Sequence, residues 1–217
     1  MSHRIVLLGP PASGKGTVAD ALSSALGVPH VSTGNIFRDA IRKGGPLGAT
    51  AKQFIDKGQL VPDDLTVQIV RAWLDEHGRD GQFILDGFPR TIGQARAFDQ
   101  LMREHKTPVT DAVLLELPES EIIERILGRL SCEKCGALYH VRRVPPKRTG
   151  ICDRCGGALI RREDDTEQTV RERLQWYNEL TLDVVQHYRV AGVLRRVDGS
   201  GMPAGMIARV KKEVGLS

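Results

Sequence analysis

The chain has 217 residues, of which 41% are hydrophobic and 27% charged, a balance that suits one main domain with a buried core. No apolar stretch approaches the ~20 residues of a membrane-spanning helix, and the first residues lack the organisation of a signal peptide. We therefore expect a cytoplasmic protein without a membrane partner. The net charge of +4 suits nucleic acid, an anionic surface or a phosphorylated small molecule, without choosing among them.

The first predicted strand, Arg4–Gly9, runs into a glycine-rich loop that precedes a predicted helix near Gly16–Leu26. This order is typical of a P-loop, in which backbone N–H groups and the helix N-terminus bind phosphate while Lys15 reaches the outer phosphates. Gly16 stands where the pattern has a hydroxyl residue for Mg²⁺, and Thr17 follows it. A glycine turn without a ligand is the alternative. The residues that would form the loop are Gly9, Ala12, Ser13, Gly14, Lys15, Gly16 and Thr17.

Further along the chain, short apolar runs alternate with amphipathic stretches, which predicts an α/β fold with a doubly wound, five-stranded parallel sheet. The remaining strands are predicted at Pro29–Ser32, Gln82–Asp86, Ala112–Leu117 and Val193–Val197. Helices are predicted near Asp63–His77, Ile92–Glu104, Glu119–Leu130, Glu167–Ala191 and Pro203–Val214. Two segments, 32–61 and 128–165, interrupt the alternation, and we interpret them as insertions at the ligand edge of the sheet. The first should contain short helical pieces.

Asp86 ends an apolar strand downstream of the P-loop. A carboxylate at that place would lie beside the phosphates and could hold Mg²⁺ through its water shell. The alternative is an aspartate that only opens the turn before Phe88 and Pro89. With a P-loop upstream, we favour the role in binding Mg²⁺.

All four cysteines fall in the second insertion, as two Cys-x-x-Cys pairs: Cys132, Cys135, Cys152 and Cys155. Two such pairs at this separation are typical of a tetrahedral zinc site with four thiolates. Disulfides are the alternative, which a cytosolic setting and the short pair spacing disfavour. Four protein ligands leave no open position, so Zn²⁺ would be structural, although the spacing does not distinguish zinc from iron.

The order of these motifs resembles adenylate kinases of the long form, whose lid carries a zinc site. The resemblance spans the chain and rests on Gly9–Thr17, Ser32-Thr33-Gly34 with Arg38, Asp86–Thr91, Arg125 with Arg129, Arg162–Asp165 and Arg171–Arg173. It implies a P-loop kinase core over 1–217, a mobile flap for the nucleoside monophosphate at 32–61 and a mobile lid at 128–165. The implied reaction is MgATP + AMP ⇌ 2 ADP, which maintains adenine nucleotide balance, in a monomer that binds no nucleic acid.

The resemblance also assigns site residues. ATP would contact the P-loop together with Arg125, Arg129, Leu138, Tyr139 and Gly201. AMP would contact Thr33, Arg38, Gln59, Leu60, Val61, Gly87, Phe88, Pro89, Arg90, Gln94, Arg162 and Arg173. Phosphoryl transfer would depend on Lys15, Arg90, Arg129, Arg162 and Arg173, because bringing the phosphates of MgATP and AMP together sets roughly four negative charges against one another. No general base is needed, since the attacking phosphate oxygen is already ionised. Asp164 and Asp165 would orient arginines at the lid hinge.

Other functions remain open at this point. A UMP/CMP-type kinase is the nearest, although Thr33 matches the adenine-side threonine of adenylate kinases. A zinc-ribbon nucleic-acid binder with an ATPase core is the alternative from another class. It is suggested by the cysteines and by Arg142, Arg143, Lys147 and Arg148, but Tyr139 is alone as an aromatic residue for base stacking. The loop also departs from the family at Ala12, where glycine is usual. We expect an ordinary backbone angle there.

Overall fold

The computed structural model describes residues 2–55, 61–77, 81–161 and 165–216, without the side chains of Asn35, Arg38 and His77. Its main sheet has five parallel strands in the order β2-β3-β1-β4-β8. They are β1 Arg4–Leu8, β2 His30–Ser32, β3 Phe83–Asp86, β4 Asp111–Glu116 and β8 Leu194–Asp198. The predicted α/β fold with a five-stranded parallel sheet is confirmed.

Helices cover both faces of this sheet. They are α1 Lys15–Leu26, α2 Thr33–Lys43, α3 Pro46–Ile55, α4 Asp63–His77, α5 Ile92–Glu104, α6 Glu119–Leu127, α7 Glu167–Leu180, α8 Leu182–Val190 and α9 Pro203–Glu213. Alternate residues of β1 point to opposite faces: Ile5 packs with Leu22 of α1, whereas Val6 packs with Phe98 of α5. Among the described helices, none is both long and apolar enough to cross a membrane.

Two predicted helices end differently from the expectation. The helix predicted to reach Leu130 stops at Leu127, because residues from Arg129 onward pair as a strand. Gly128 permits this change, since a Cβ there would lie 2.3 Å from Nε2 of His140. The single helix predicted over Glu167–Ala191 is two helices that meet at Thr181, because α7 packs on α6 while α8 packs on α5 and β8.

The two insertions have different structures. The first contains α2 and α3, which confirms the short helical pieces expected there. The second contains an antiparallel sheet of β5 Arg129–Cys132, β6 Leu138–His140 and β7 Leu159–Ile160. The predicted boundaries 32–61 and 128–165 and the mobility of both segments stay predictions. The P-loop follows β1 and Asp86 ends β3, so the candidate site lies at the carboxyl ends of the parallel strands, where ligands bind in open α/β sheets.

Candidate active site

The P-loop connects β1 to α1 and has the backbone that its glycines allow. Gly14, the residue before α1, has a φ of 96°. A Cβ at this position would lie 2.6 Å from Cε of Met206, the flexible end of that side chain, so it is mainly the backbone conformation that requires glycine. The N-terminus of α1 therefore opens directly onto the loop, where free N–H groups and the helix dipole favour an anion.

Ala12 contradicts the expectation of an ordinary backbone angle. Its φ is 56°, in the left-handed region, which costs a residue with a Cβ roughly 1 kcal/mol relative to glycine. Arg125 supplies compensating contacts, because its Nη1 donates to the carbonyl oxygens of Ala12 at 3.3 Å and Ser13 at 3.2 Å. The loop thus keeps this shape through a helix far away in the sequence.

Lys15 lies folded against its own loop. Its Nζ donates to the carbonyl oxygens of Gly9 at 2.9 Å and Pro10 at 2.8 Å. Burial lowers the pKa of Lys15 from 10.5 to about 8, although the Asp86 carboxylate opposes the shift; the Arg90 guanidinium adds to it. Burial therefore disfavours the charged form of Lys15, and the surrounding protein groups do not fully compensate for this.

Asp86 lies beside the P-loop, as predicted. A Cβ placed on Gly16 would be 3.6 Å from Oδ2 of Asp86, which puts the carboxylate next to the start of α1. Carboxylate oxygens are ligands that Mg²⁺ prefers, and they bind it either directly or through water, so this residue fits the metal role. His30 lies behind it: its Nε2 is 4.0 Å from Oδ2 of Asp86 and its Nδ1 is 2.9 Å from Oδ1 of Asp20.

Three of the predicted catalytic arginines have a described environment. Arg90 donates from Nε to the Gly87 carbonyl at 2.8 Å. Burial lowers its pKa, Asp86 opposes that shift, and the nearby charge of Arg173 adds to it. Arg129 pairs through two nitrogens with Asp165, whose side chain is 2% exposed, as expected for a residue that orients arginines. Lys15 and Arg90 thus lie near Asp86 and near one another, and Arg173 lies near Arg90.

On the side predicted to bind AMP, Thr33 donates from Oγ1 to the Gly87 carbonyl at 3.2 Å. Gln94 is buried, and its Oε1 accepts the Arg90 backbone N–H at 2.8 Å. The Phe88 ring packs in the core against Phe98. The side chain of Arg38 and all of Gln59, Leu60, Arg162 and Asp164 lie outside the described residues.

The predicted ATP residues of the lid and the core converge on one cavity of about 330 Å³. Arg125, Arg129, Leu138, Tyr139 and Gly201 line it together with Asp86 and the P-loop residues 12–17, whereas the predicted ATP residue Gly9 is not part of the lining. Arg143, which we did not assign to the site, also lines it, donating to Gly201 O at 2.9 Å and to Glu121 and Glu124 of α6. Burial works to raise the pKa of Glu121, but hydrogen bonds from Arg125 and Arg143 hold that pKa below its ordinary value.

The four cysteines form one cluster in the lid. All four Sγ atoms lie within 4.8 Å of one another, with Cys132 at 3.5 Å from Cys155 and Cys135 at 3.6 Å from Cys152. These distances match the ~3.8 Å edge of a tetrahedron around Zn²⁺ and greatly exceed an S–S bond. A Cβ on Gly157 would lie 3.0 Å from Sγ of Cys132, so the backbone closes tightly on the sulfurs.

The chemistry of these sulfurs also fits a cation. A hydrogen bond from the Tyr139 hydroxyl lowers the pKa of Cys152 to about 6. At Cys155 a hydrogen bond from the Gly157 backbone N–H also lowers the pKa. Hydrogen bonding with Cys135 and Cys132 outweighs this effect and raises the pKa of Cys155 to about 12. Four neighbouring thiols cannot all ionise without a cation among them, and Zn²⁺ bound by four thiolates supplies it.

Comparison with known proteins identifies the family of this chain. A family model described as adenylate kinase matches residues 7–193. The chain belongs to the adenylate kinase family. It is 46% identical to an adenylate kinase of Clostridium tetani over 90% of this chain and 91% of that protein. It is also 46% identical to one of Moorella thermoacetica, over 94% and 95%. An adenylate kinase of Archaeoglobus fulgidus is 44% identical over 90% of each chain.

The site residues that the sequence predicts are those in local motifs, and the ones it misses have no such motif. The P-loop, Asp86 and the cysteines lie in short local motifs. Asp63, which contacts Gln94, and Arg143 have no local motif, and His30 is a single histidine after a proline. Acidic residues facing Arg143 at i and i+3 on α6 were the only signal for the lid contact.

Proposed function

We propose that the enzyme transfers the terminal phosphoryl group of MgATP reversibly to AMP, giving two ADP, and so balances the adenine nucleotide pool. The observation that carries this proposal is the group of cations at the open end of the P-loop: Lys15 and Arg90 lie near the Asp86 carboxylate, and Arg173 lies near Arg90. Such a group of cations suits a reaction in which charge repulsion, rather than proton transfer, is the obstacle.

Each charged residue of the site would bind a particular phosphate group or Mg²⁺. Lys15 would exchange its contacts with the carbonyls of Gly9 and Pro10 for contacts with the outer phosphates of ATP. Arg90, with Arg38, would hold the AMP phosphate, and Arg129 and Arg173, with Arg162, would surround the group in transfer. Asp86 would hold Mg²⁺ through water, and the cation would neutralise part of the phosphate charge. The attacking oxygen is ionised near pH 7, so orientation and charge stabilisation suffice.

The two insertions would close over the nucleotides before transfer. Segment 32–61 would cover AMP and segment 128–165 would cover ATP, which excludes water that would otherwise compete for the phosphoryl group. Zn²⁺ on the four cysteines would stiffen the lid, whose apolar cluster is small. With both nucleotide sites on one chain, the enzyme would act as a monomer, and we expect it in the cytoplasm.

The test is an acceptor panel with the purified protein, ATP and Mg²⁺. We expect stoichiometric ADP from AMP, at least ~10²-fold higher kcat/KM for AMP than for CMP or UMP, and no turnover without Mg²⁺. Chromatographic quantification of all nucleotides measures the outcome. A preference for CMP or UMP would replace the proposal with the pyrimidine kinase alternative.

A further inference from the structure

The amide of Gln94 is held by its neighbours in one orientation. Its Nε2 donates to Oδ1 of Asp63 at 2.7 Å, and its Oε1 accepts the backbone N–H of Arg90 at 2.8 Å. Rotating the amide by 180° would set Nε2 against the N–H of Arg90 and Oε1 against the carboxylate. Both contacts would then be repulsive.

Asp63 is itself fixed in place. Its Oδ2 accepts the hydroxyl proton of Thr91 at 2.5 Å, and Thr91 caps α5 by accepting the Gln94 backbone N–H at 3.1 Å. A Cβ on Gly93 would lie 3.0 Å from the same Oδ2, so the carboxylate sits tightly against the first turn of α5. Asp63, the first residue of α4, therefore accepts one hydrogen bond from the Gln94 amide and one from the Thr91 hydroxyl.

From these contacts we infer that Asp63 is a specificity-determining positioning residue, which locks the Gln94 amide in the orientation that accepts adenine and repels a 6-oxopurine. The inference rests on the proposed function and on the predicted contact of Gln94 with AMP, in which the amide would face the N1 and N6 edge of adenine. A side-chain amide has two N–H donors and two acceptor sites. The bonds to Asp63 and Arg90 use one of each, which leaves one donor and one acceptor for the base.

The remaining donor and acceptor distinguish two nearly isosteric bases. Adenine presents an acceptor at N1 and a donor at its 6-amino group, which match one N–H and one lone pair of Gln94. Hypoxanthine presents a donor at N1 and an acceptor at O6, the reverse pattern. A free amide would turn over and accept either base, whereas a locked amide meets hypoxanthine with two repulsive contacts.

The first test uses the wild-type enzyme with three acceptors: AMP, IMP and purine riboside monophosphate, which keeps N1 but has no group at position 6. A locked amide predicts that kcat/KM falls in the order AMP, purine riboside monophosphate, IMP, because losing one hydrogen bond costs less than meeting two repulsions. A freely turning amide predicts that IMP equals or exceeds purine riboside monophosphate. That order would overturn the inference.

The second test changes Asp63. In Asp63→Asn the new side chain can present either its oxygen or its NH₂ to Gln94, so the ratio of kcat/KM for AMP over IMP should fall at least ~10-fold while KM for ATP stays within about twofold. Asp64→Asn removes the same charge from the same helix turn, at an exposed residue, and should leave the ratio unchanged.

The outcomes separate this inference from the proposed function. A purely structural role for Asp63 would lower Tm and reduce kcat/KM for AMP and IMP equally, and an unchanged ratio in Asp63→Asn would refute the positioning role. If that variant does not fold, the order of the three acceptors in the wild type decides. Failure of the wild type to prefer AMP over CMP and UMP would instead refute the proposed function.

Discussion

Lys15 offers a prediction whose size follows from its burial. Its pKa in the free protein is about 8, against 10.5 for an ordinary lysine. Phosphate oxygens at the ammonium would favour the charged form and return the pKa toward 10.5. Binding of ATP should therefore take up a proton at alkaline pH, because the free protein has lost it and the complex has regained it.

The magnitude can be worked out from the two pKa values. At pH 7 Lys15 is almost fully protonated in both states, so proton uptake is only ~0.1 per ATP bound. At pH 9 about nine-tenths of the free protein has lost the proton, so uptake rises to ~0.9 and the affinity for ATP falls roughly 10-fold relative to pH 7. The affinity for ATP should therefore fall as the pH increases through 8.

Isothermal titration calorimetry with ATP, in two buffers of different ionisation enthalpy at pH 7 and pH 9, measures both quantities. Lys15→Arg is the matched control, because a guanidinium stays charged at both pH values and should show neither uptake nor the loss of affinity. Proton uptake at pH 9 equal to that of Lys15→Arg would refute the reasoning that Lys15 is a destabilised ammonium awaiting a phosphate.

Three further predictions concern the loop, the arginines and the lid. Ala12→Gly should raise the free energy of unfolding by ~1 kcal/mol and Tm by roughly 2–4 °C in calorimetry without nucleotide, because glycine adopts the left-handed backbone without strain; an equal or lower Tm would contradict strain at this residue. Asp165→Asn weakens the partner of Arg129, so kcat should fall ~10- to 100-fold with less than about threefold change in KM for AMP; steady-state kinetics with wild-type kcat would show that the ion pair does not position the arginine. Elemental analysis should find about one Zn²⁺ per chain, and Cys152→Ser should lose most of it. Hydrogen exchange in that variant should rise over 129–160 and stay unchanged in β1 and β4; metal content equal to the wild type would argue against the four-cysteine site.

Strand β1, the P-loop and the cysteine pairs could be predicted from the sequence, because each is encoded by a short contiguous segment. Ile5 to Leu8 are apolar on both sides of the pleat because a parallel strand is buried on both faces, and this run already predicts β1. The P-loop and the two cysteine pairs are contiguous motifs whose spacing carries their chemistry. Family resemblance then supplied the roles of separate arginines, which no local pattern distinguishes from surface residues.

Contacts between distant segments were decided only by the tertiary structure. Helix periodicity could not show that α7 and α8 part at Thr181, because the break depends on which neighbours each helix packs against. The angle at Ala12 depends on Arg125, and the orientation of Gln94 on Asp63, 31 residues away. Sequence determines backbone preference and the alternation of buried and exposed residues. Which donor meets which acceptor is set when the sheet brings α4, α5 and α6 to the same edge, because a hydrogen bond requires a position that only the folded chain defines.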